Sequence, residues 1–229
     1  LTDYFSISTP LKSYFVGNEF NKINEIEAAL IEGKDIALIS DAGTPLISDP
    51  GNELIQHLIS KNFNIVSIPG PSSVLTALTV SGFEINEFQF LGFIPKGGKE
   101  KYEFVVKLIN SNSVSVCFTS PKRLVKDLDY FEKEGLVSEL VICRELTKKF
   151  ETIYRGTAKS VKNKLPENLK GEITIVVGPS QSDEEIDIDL DEAIKILLEQ
   201  KVPKRELAKS LSLLTNLSVN ELYERVKNL

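Results

Sequence analysis

Two short segments carry the residue types that could hold a ligand. The first, SDAGTPLISDPG, spans residues 40–51 and follows a short apolar run. Pro45 and Pro50 fix φ, while Gly43 and Gly51 reach dihedrals closed to other residues and let a ligand approach the backbone. Neither of the usual nucleotide signatures, G-x-x-x-x-G-K-[ST] or G-x-G-x-x-G, is present there. Asp41 and Asp49 would also repel a polyphosphate. The composition suits a ligand with hydroxyls or a cationic centre; taken alone, the segment reads equally well as a structural turn. The second segment, SIPGPSSVLTAL (67–78), also follows an apolar run and sets Pro-Gly-Pro before small hydroxyl residues. Ser72 and Ser73 fall at a helix N-terminus, where free N–H groups and hydroxyls can hold a carboxylate or hydroxyl.

The elements that must position these segments follow from periodicity. Strand-like runs occupy 35–40, 64–68, 87–92, 113–119, 139–144 and 172–178, with Val, Ile and Phe on both parities. That pattern suits strands covered on both faces, as in α/β proteins. Between the first two, Asp49 suits an N-cap and Pro50 a first helical turn. Leu54 and Leu58, like Ile55 and Ile59, are spaced i,i+4, so the stretch reads as a βαβ unit. Adjacent strands of a parallel sheet would then set the two segments side by side at their carboxyl ends. A second helix runs from the Pro-Gly-Pro segment to Gly82. Pro95, Gly97 and Gly98 break the pattern and mark a hinge near 94–99. Beyond it the alternation repeats, with helices at 99–110, 121–134 and 158–164. The expected organisation is two α/β lobes, 1–94 and 95–180, with a cleft between them. An acidic linker at 181–189 and a helical domain at 190–229 follow. In that domain Pro203 suits an N1 position, and Ser218 with Glu221 forms a capping box. Three short helices with a tight turn resemble a helix-turn-helix module. Lys201, Lys204, Arg205, Lys209, Arg225 and Lys227 make it basic, which suits a phosphate backbone as well as it suits a helical cap.

Composition narrows the field. With 41% hydrophobic and 26% charged residues, the chain reads as soluble and globular, and its net charge of −6 gives no global sign of nucleic acid, so any basic surface must be local. Cys117 and Cys143 both fall in strand-like runs, which points to reduced, apolar packing in a cytoplasmic protein rather than a disulfide. His57 is the only histidine and reads as a helix-surface residue. His-based triads and two-His metal sites are thereby excluded, and no metal site is expected. No apolar stretch reaches the ~18 residues of a membrane span. The chain begins at Leu1 and contains no methionine, so a segment upstream is expected.

In order along the chain stand ALISDAGTPLISDPG, IPGPSSVLTAL, FLGFIPK, FTSPKRL, CRELTKKFETIYRG and GEITIVVG. This series resembles the bacterial ribosomal-RNA 2′-O-ribose methyltransferases that act on a cytidine of small-subunit (16S) rRNA. They are members of the tetrapyrrole-methylase superfamily of S-adenosylmethionine (SAM) enzymes. The resemblance covers most of 35–178, and the terminal helices match a small helical domain that some members carry. It implies two α/β lobes with SAM in the cleft, and a homodimer. By motif position it also implies SAM contacts: Ala42, Gly43 and Thr44 with Ile47 beside them, Ser72 and Ser73, Thr119 and Leu146 as adenosine-side walls, and Ile173 at the adenine edge. Two departures stand out. The strand, TPIGNL loop and EDTR element that usually open the family are not in this sequence, and the position of Thr119 is commonly Glu.

The implied reaction is attack of a ribose 2′-hydroxyl on the SAM methyl group. Glu145 is the candidate base, flanked by Arg144 and Lys148 as phosphate holders. Lys96, in the FIPK loop, is placed on the RNA side, where Lys96, Lys99, Lys101, Lys107, Lys122, Arg123 and Lys126 outnumber Glu100 and Glu103. Two alternatives remain open at this point: a SAM enzyme acting on a small molecule or a diphthamide-type acceptor, and a non-catalytic RNA- or ribosome-binding relative.

Overall fold

The computed structural model describes residues 3–15, 17–180, 190–199, 202–212 and 217–229. The chain divides into two compact units, Leu1–Ser180 and Gln181–Leu229.

The first unit is built on a five-stranded sheet: β1 (Phe88–Phe93), β2 (Val114–Thr119), β3 (Leu140–Arg144), β4 (Thr152–Gly156) and β5 (Ile173–Val177), in the order β1-β2-β5-β3-β4. β1 and β2 are parallel, and every other pairing is antiparallel. The sheet is therefore mixed. Its strands nevertheless bury both faces. On one face α4 (Gly98–Ile109), α5 (Pro121–Lys133) and α6 (Ala158–Lys162) pack Val105, Leu108, Leu124, Leu128, Phe131 and Val161 against Cys117, Leu140, Ile142, Ile173, Ile175 and Val177. On the other, α3 (Ser73–Thr79) lays Val74, Ala77 and Leu78 on Val114, Val116, Val141, Cys143 and Val176. Successive strand residues alternate between these two clusters, as a pleated strand requires.

Cys117 and Cys143 thus lie on opposite faces of the sheet as free, buried thiols. Burial raises both above the ordinary thiol range, Cys143 to about 11.

The amino-terminal part departs most from expectation. α1 (Glu19–Ile31) packs on α2 (Asn52–Ser60) through Ile23, Leu54 and Leu58, with Tyr14, Ile26, Leu30 and Phe63 around them. α1 has no counterpart in the pattern reading. Segments 35–40 and 64–68 are not strands, because among the described residues no neighbouring strand completes a ladder for them. A lone extended segment has no partner for its N–H and C=O groups. Ile36, Ile39, Ile65, Val66 and Ile68 are accordingly exposed. Asp49 does not cap α2. Gly51 takes that place at φ 129°, where an added Cβ would lie 2.7 Å from Leu46 Cδ2. His57 lies on α2 with Nε2 hydrogen-bonded to Glu27 Oε2 at 2.6 Å, both side chains partly buried.

The second unit holds α7 (Leu190–Glu199), α8 (Lys204–Ser212) and α9 (Val219–Asn228), with Ile194, Leu207, Ala208, Leu211, Leu222 and Val226 as its core. The Ser218–Glu221 capping box is present. Pro203 lies one position outside α8, where its carbonyl accepts from Glu206 and Leu207 N–H. The acidic run 181–189, expected to be a linker, lies outside the described residues.

Candidate active site at the sheet rim

The loop 40–51 and the Pro-Gly-Pro turn touch without flanking strands. Thr44 Oγ1 donates to Pro71 O at 2.9 Å, and Ser40 Oγ donates to the carbonyls of Ala42 (3.2 Å) and Gly43 (3.0 Å). A Cβ on Gly43 would stand 3.9 Å from Pro71 O. Ala42, Gly43, Thr44 and Ile47 are exposed, and Ser72 and Ser73 are half-buried. Ser72 caps α3, accepting from Leu75 N–H at 3.4 Å. Its hydroxyl proton remains available to donate.

The loop also meets the sheet. A Cβ on Gly92, near the carboxyl end of β1, would lie 4.0 Å from Ser48 Oγ. At that end Phe93 pairs with Phe118, and their rings meet edge to face at 5.4 Å. From there one register row crosses the sheet: Thr119 faces Ile173, Ile173 faces Arg144, and Arg144 faces Thr152. The row brings Thr119, Ile173 and Arg144 together, with Glu145, Leu146 and Lys148 in the turn that follows. Leu146 packs against the cluster formed by Val74, Ala77 and Leu78, so this turn and the helix behind the Pro-Gly-Pro segment share one apolar support.

Four of the non-glycine residues at positive φ lie on this rim: Leu46 (74°), Ser48 (66°), Glu145 (52°) and Thr147 (65°). Such backbone costs roughly 1–3 kcal/mol each and persists only where surrounding contacts enforce it. For Glu145 and Thr147 the enforcing contacts are visible. Glu145 N–H donates to Glu172 O (3.0 Å), Glu172 N–H to Glu145 Oε1 (2.9 Å), and Thr147 N–H to Glu151 Oε2 (2.6 Å). Lys148 Nζ bridges Glu145 Oε1 (3.0 Å) and Glu172 Oε2 (2.8 Å). Arg144 Nε donates to Lys170 O at 2.7 Å. Glycine is required at 171, where φ is 101° and an added Cβ would meet Glu145 Cδ at 2.4 Å.

These contacts set the electrostatics. The Lys148 ammonium, then the Glu172 amide, hold the Glu145 carboxyl below the usual carboxylate range. Glu172, then Glu145, raise Lys148. The geometry gives Glu145 an anchoring duty. Both donors fall on Oε1, so a proton from a hydroxyl would go to Oε2, and the lowered pKa makes the carboxylate a weaker base. Lys148 is likewise committed to carboxylates, whereas Lys96 is exposed in the Pro95–Gly97 loop and ion-pairs with none of the described residues.

Behind Thr119 lies a group that pattern reading missed. Thr119 is 3% exposed and its Oγ1 donates to Asp127 Oδ2 at 2.5 Å. Asp127, 1% exposed, also accepts from Lys101 Nζ (2.6 Å) and Arg123 Nη2 (3.3 Å). Arg123 Nη2 in turn donates to Pro95 O at 2.7 Å. One buried carboxylate thereby ties the end of β2 to α4, α5 and the loop that carries Lys96. The signal was present in the sequence: Asp127 sits on the apolar stripe of Leu124, Leu128 and Phe131.

Comparison with known proteins agrees with this architecture. The family model for tetrapyrrole (corrin/porphyrin) methylases matches residues 7–162. Among curated proteins, the ribosomal RNA small subunit methyltransferase I of Mycoplasmopsis pulmonis is 40% identical over 178 residues, covering 77% of this chain and 79% of that protein. The protein of the same name from Mesorhizobium japonicum is 34% identical over 232 residues, covering 100% and 79%. Among solved structures, a cobalt-precorrin-4 methyltransferase aligns with a TM-score of 0.57 at 19% identity, covering 78% of this chain and 79% of that one, and so shows the fold alone. The chain belongs to the tetrapyrrole methylase family, within the branch of the ribosomal RNA small subunit methyltransferases I.

Proposed function

We infer that this chain is a SAM-dependent methyltransferase that places a methyl group on the ribose 2′-oxygen of a cytidine in 16S rRNA. The observation that carries the inference is the junction of the two loops, Thr44 to Pro71, at the rim where Thr119, Ile173 and Arg144 align. The residues fit the cofactor. Segments 40–51 and 68–73 contain no Lys or Arg and offer hydroxyls, small side chains and two aspartates. That environment favours a sulfonium over a polyphosphate.

When bound, SAM supplies a methyl carbon already activated by its sulfonium. The protein's share is alignment. Ala42, Gly43, Thr44 and Ile47 would border the methionine portion. Ser72 and Ser73 would offer hydroxyls, Leu146 would wall the adenosine with the buried Thr119 behind that wall, and the Ile173 backbone would meet the adenine edge. Arg144 and Lys148 would lie beside the RNA backbone, with Lys96 on the same side. Glu145 would take the 2′-hydroxyl proton through Oε2, the oxygen that Lys148 and the Glu172 amide leave open. We also propose a cytoplasmic homodimer as the working form, tested by sedimentation equilibrium.

Calorimetric titration with SAM, combined with tritium transfer to small subunits from a strain lacking this modification and ribose-methyl mapping, tests the activity. Methyl incorporation at one cytidine ribose is expected. SAM binding without transfer to RNA would redirect the reading to another acceptor, and absence of SAM binding would end it. Lys96→Ala is expected to weaken RNA methylation while SAM affinity holds; equal loss of both would remove Lys96 from the RNA side.

A further inference from the structure

The carboxy-terminal helical unit has a feature that methyl transfer does not use. Between α8 and α9 runs a groove of about 350 Å³ lined by Arg205, Lys209, Val219, Asn220 and Tyr223. Arg205 and Lys209 are spaced i,i+4 on one face of α8, an arrangement of like charges that disfavours a helix on its own. Among the described residues no carboxylate forms an ion pair with either, and the exposed Glu206 stands between them in α8. Glu221 is taken up by the Ser218 capping box, Glu224 pairs with Lys227, and Asp191 pairs with Arg225. Tyr223 is 38% exposed, leaving the ring open beside these cations. Two cations outside any ion pair, an aromatic face and an amide suit a phosphate backbone with an unpaired base, where cations hold the strand and the ring stacks. In a chain of net charge −6 such a groove is a local exception.

We propose that the α8–α9 groove is an RNA-contacting site. Arg205 and Lys209 take phosphates of a single-stranded segment, and Tyr223 stacks a base. The proposal rests on the rRNA methyltransferase reading for its partner but not for its geometry. The groove holds RNA independently of the sheet rim and raises the local concentration of substrate for the rim.

Fluorescence anisotropy of the full chain with a labelled single-stranded RNA oligonucleotide, over a range of salt, tests it. Arg205→Gln with Lys209→Gln is expected to weaken binding about tenfold and to flatten the log–log salt slope by about 1.4, roughly 0.7 for each lost single-strand phosphate contact. Tyr223→Leu is expected to weaken binding about tenfold with the slope unchanged. Circular dichroism and hydrogen exchange within α8 and α9 serve as the check that the variants fold, since the second unit has its own core. Wild-type affinity and slope in the double variant overturn the proposal. So does loss of binding to intact small subunits with RNA affinity retained, which assigns the groove to a ribosomal protein. Neutral groove variants in a chain that still transfers methyl leave the methyltransferase reading standing. A chain that binds RNA through the groove yet binds no SAM keeps the groove and removes that reading.

Discussion

Asp127→Ala should be the most destabilising single change behind the site. The carboxylate is 1% exposed and accepts from Lys101, Thr119 and Arg123. Removing it leaves the Lys101 ammonium, whose side chain is 8% exposed, without a counter-charge. Breaking a buried pair from one side costs about 3–5 kcal/mol. The Thr119 hydroxyl loses its acceptor as well, worth about 1 kcal/mol. A loss of about 4–6 kcal/mol corresponds to a fall of roughly 8–24 °C in melting temperature for a chain of this size. Replacing both charges, as in Lys101→Met with Asp127→Leu, should recover most of it, since an apolar pair can stand in for a buried ion pair at little net cost. Urea denaturation followed by circular dichroism supplies the energies. Hydrogen exchange at Val114–Thr119 assigns the transition to the sheet. A cost below about 1 kcal/mol for Asp127→Ala, or a double variant no more stable than the single one, would refute the reasoning.

Three further outcomes follow from the same geometry. Gly171→Ala places a Cβ 2.4 Å from Glu145 Cδ at a φ of 101°, so it should cost more than about 1 kcal/mol and lower methyl transfer while the circular dichroism spectrum is retained. The Glu145–Lys148–Glu172 cluster should hold its turn across neutral pH. Glu145 is lowered, so its contribution is present above the ordinary carboxylate range and lost as pH falls through its folded value. Lys148 is raised, so its contribution is present below the ordinary lysine range and lost as pH rises through its folded value. Hydrogen exchange at Glu145 and Glu172 N–H, corrected for intrinsic rates, should show protection flat between those limits. Cys117 and Cys143 should resist a thiol reagent at mildly alkaline pH in the native state and react after unfolding, since burial raises both.

The parts of the fold legible in the sequence are those where local pattern and tertiary burial agree. The runs near 87–92, 113–119, 139–144 and 172–178 became β1, β2, β3 and β5 because their apolar residues on both parities meet helices on both faces. The carboxy-terminal helices were legible from caps, Ser218 with Glu221 above all. β4 was missed because its residues are only half-buried and carry no strong run. The direction of β5 was not legible for a different reason: alternation of strand and helix says nothing about whether a returning strand runs parallel. Segments 35–40 and 64–68 have strand composition without ladder partners, and composition alone does not supply hydrogen bonds.

The candidate site shows the same division at finer scale. Loop chemistry was readable because glycine, proline and hydroxyl residues impose local conformations that travel with the sequence, and Thr44 reaching Pro71 requires only that the two turns be neighbours. The state of each side chain was not readable, because it depends on residues far away in the chain. Thr119 looks like a free hydroxyl at a strand end until Asp127, eight positions on, claims it. Glu145 looks like a base until Glu172 and Lys148 hold it from two sides. In both cases the residue nearest the expected chemistry is restrained by a neighbour that a motif does not contain. Substitutions at Asp127 and Glu172 should therefore alter the rim as much as substitutions within the motifs themselves. A variant series confined to motif residues would assign to chemistry what belongs in part to restraint.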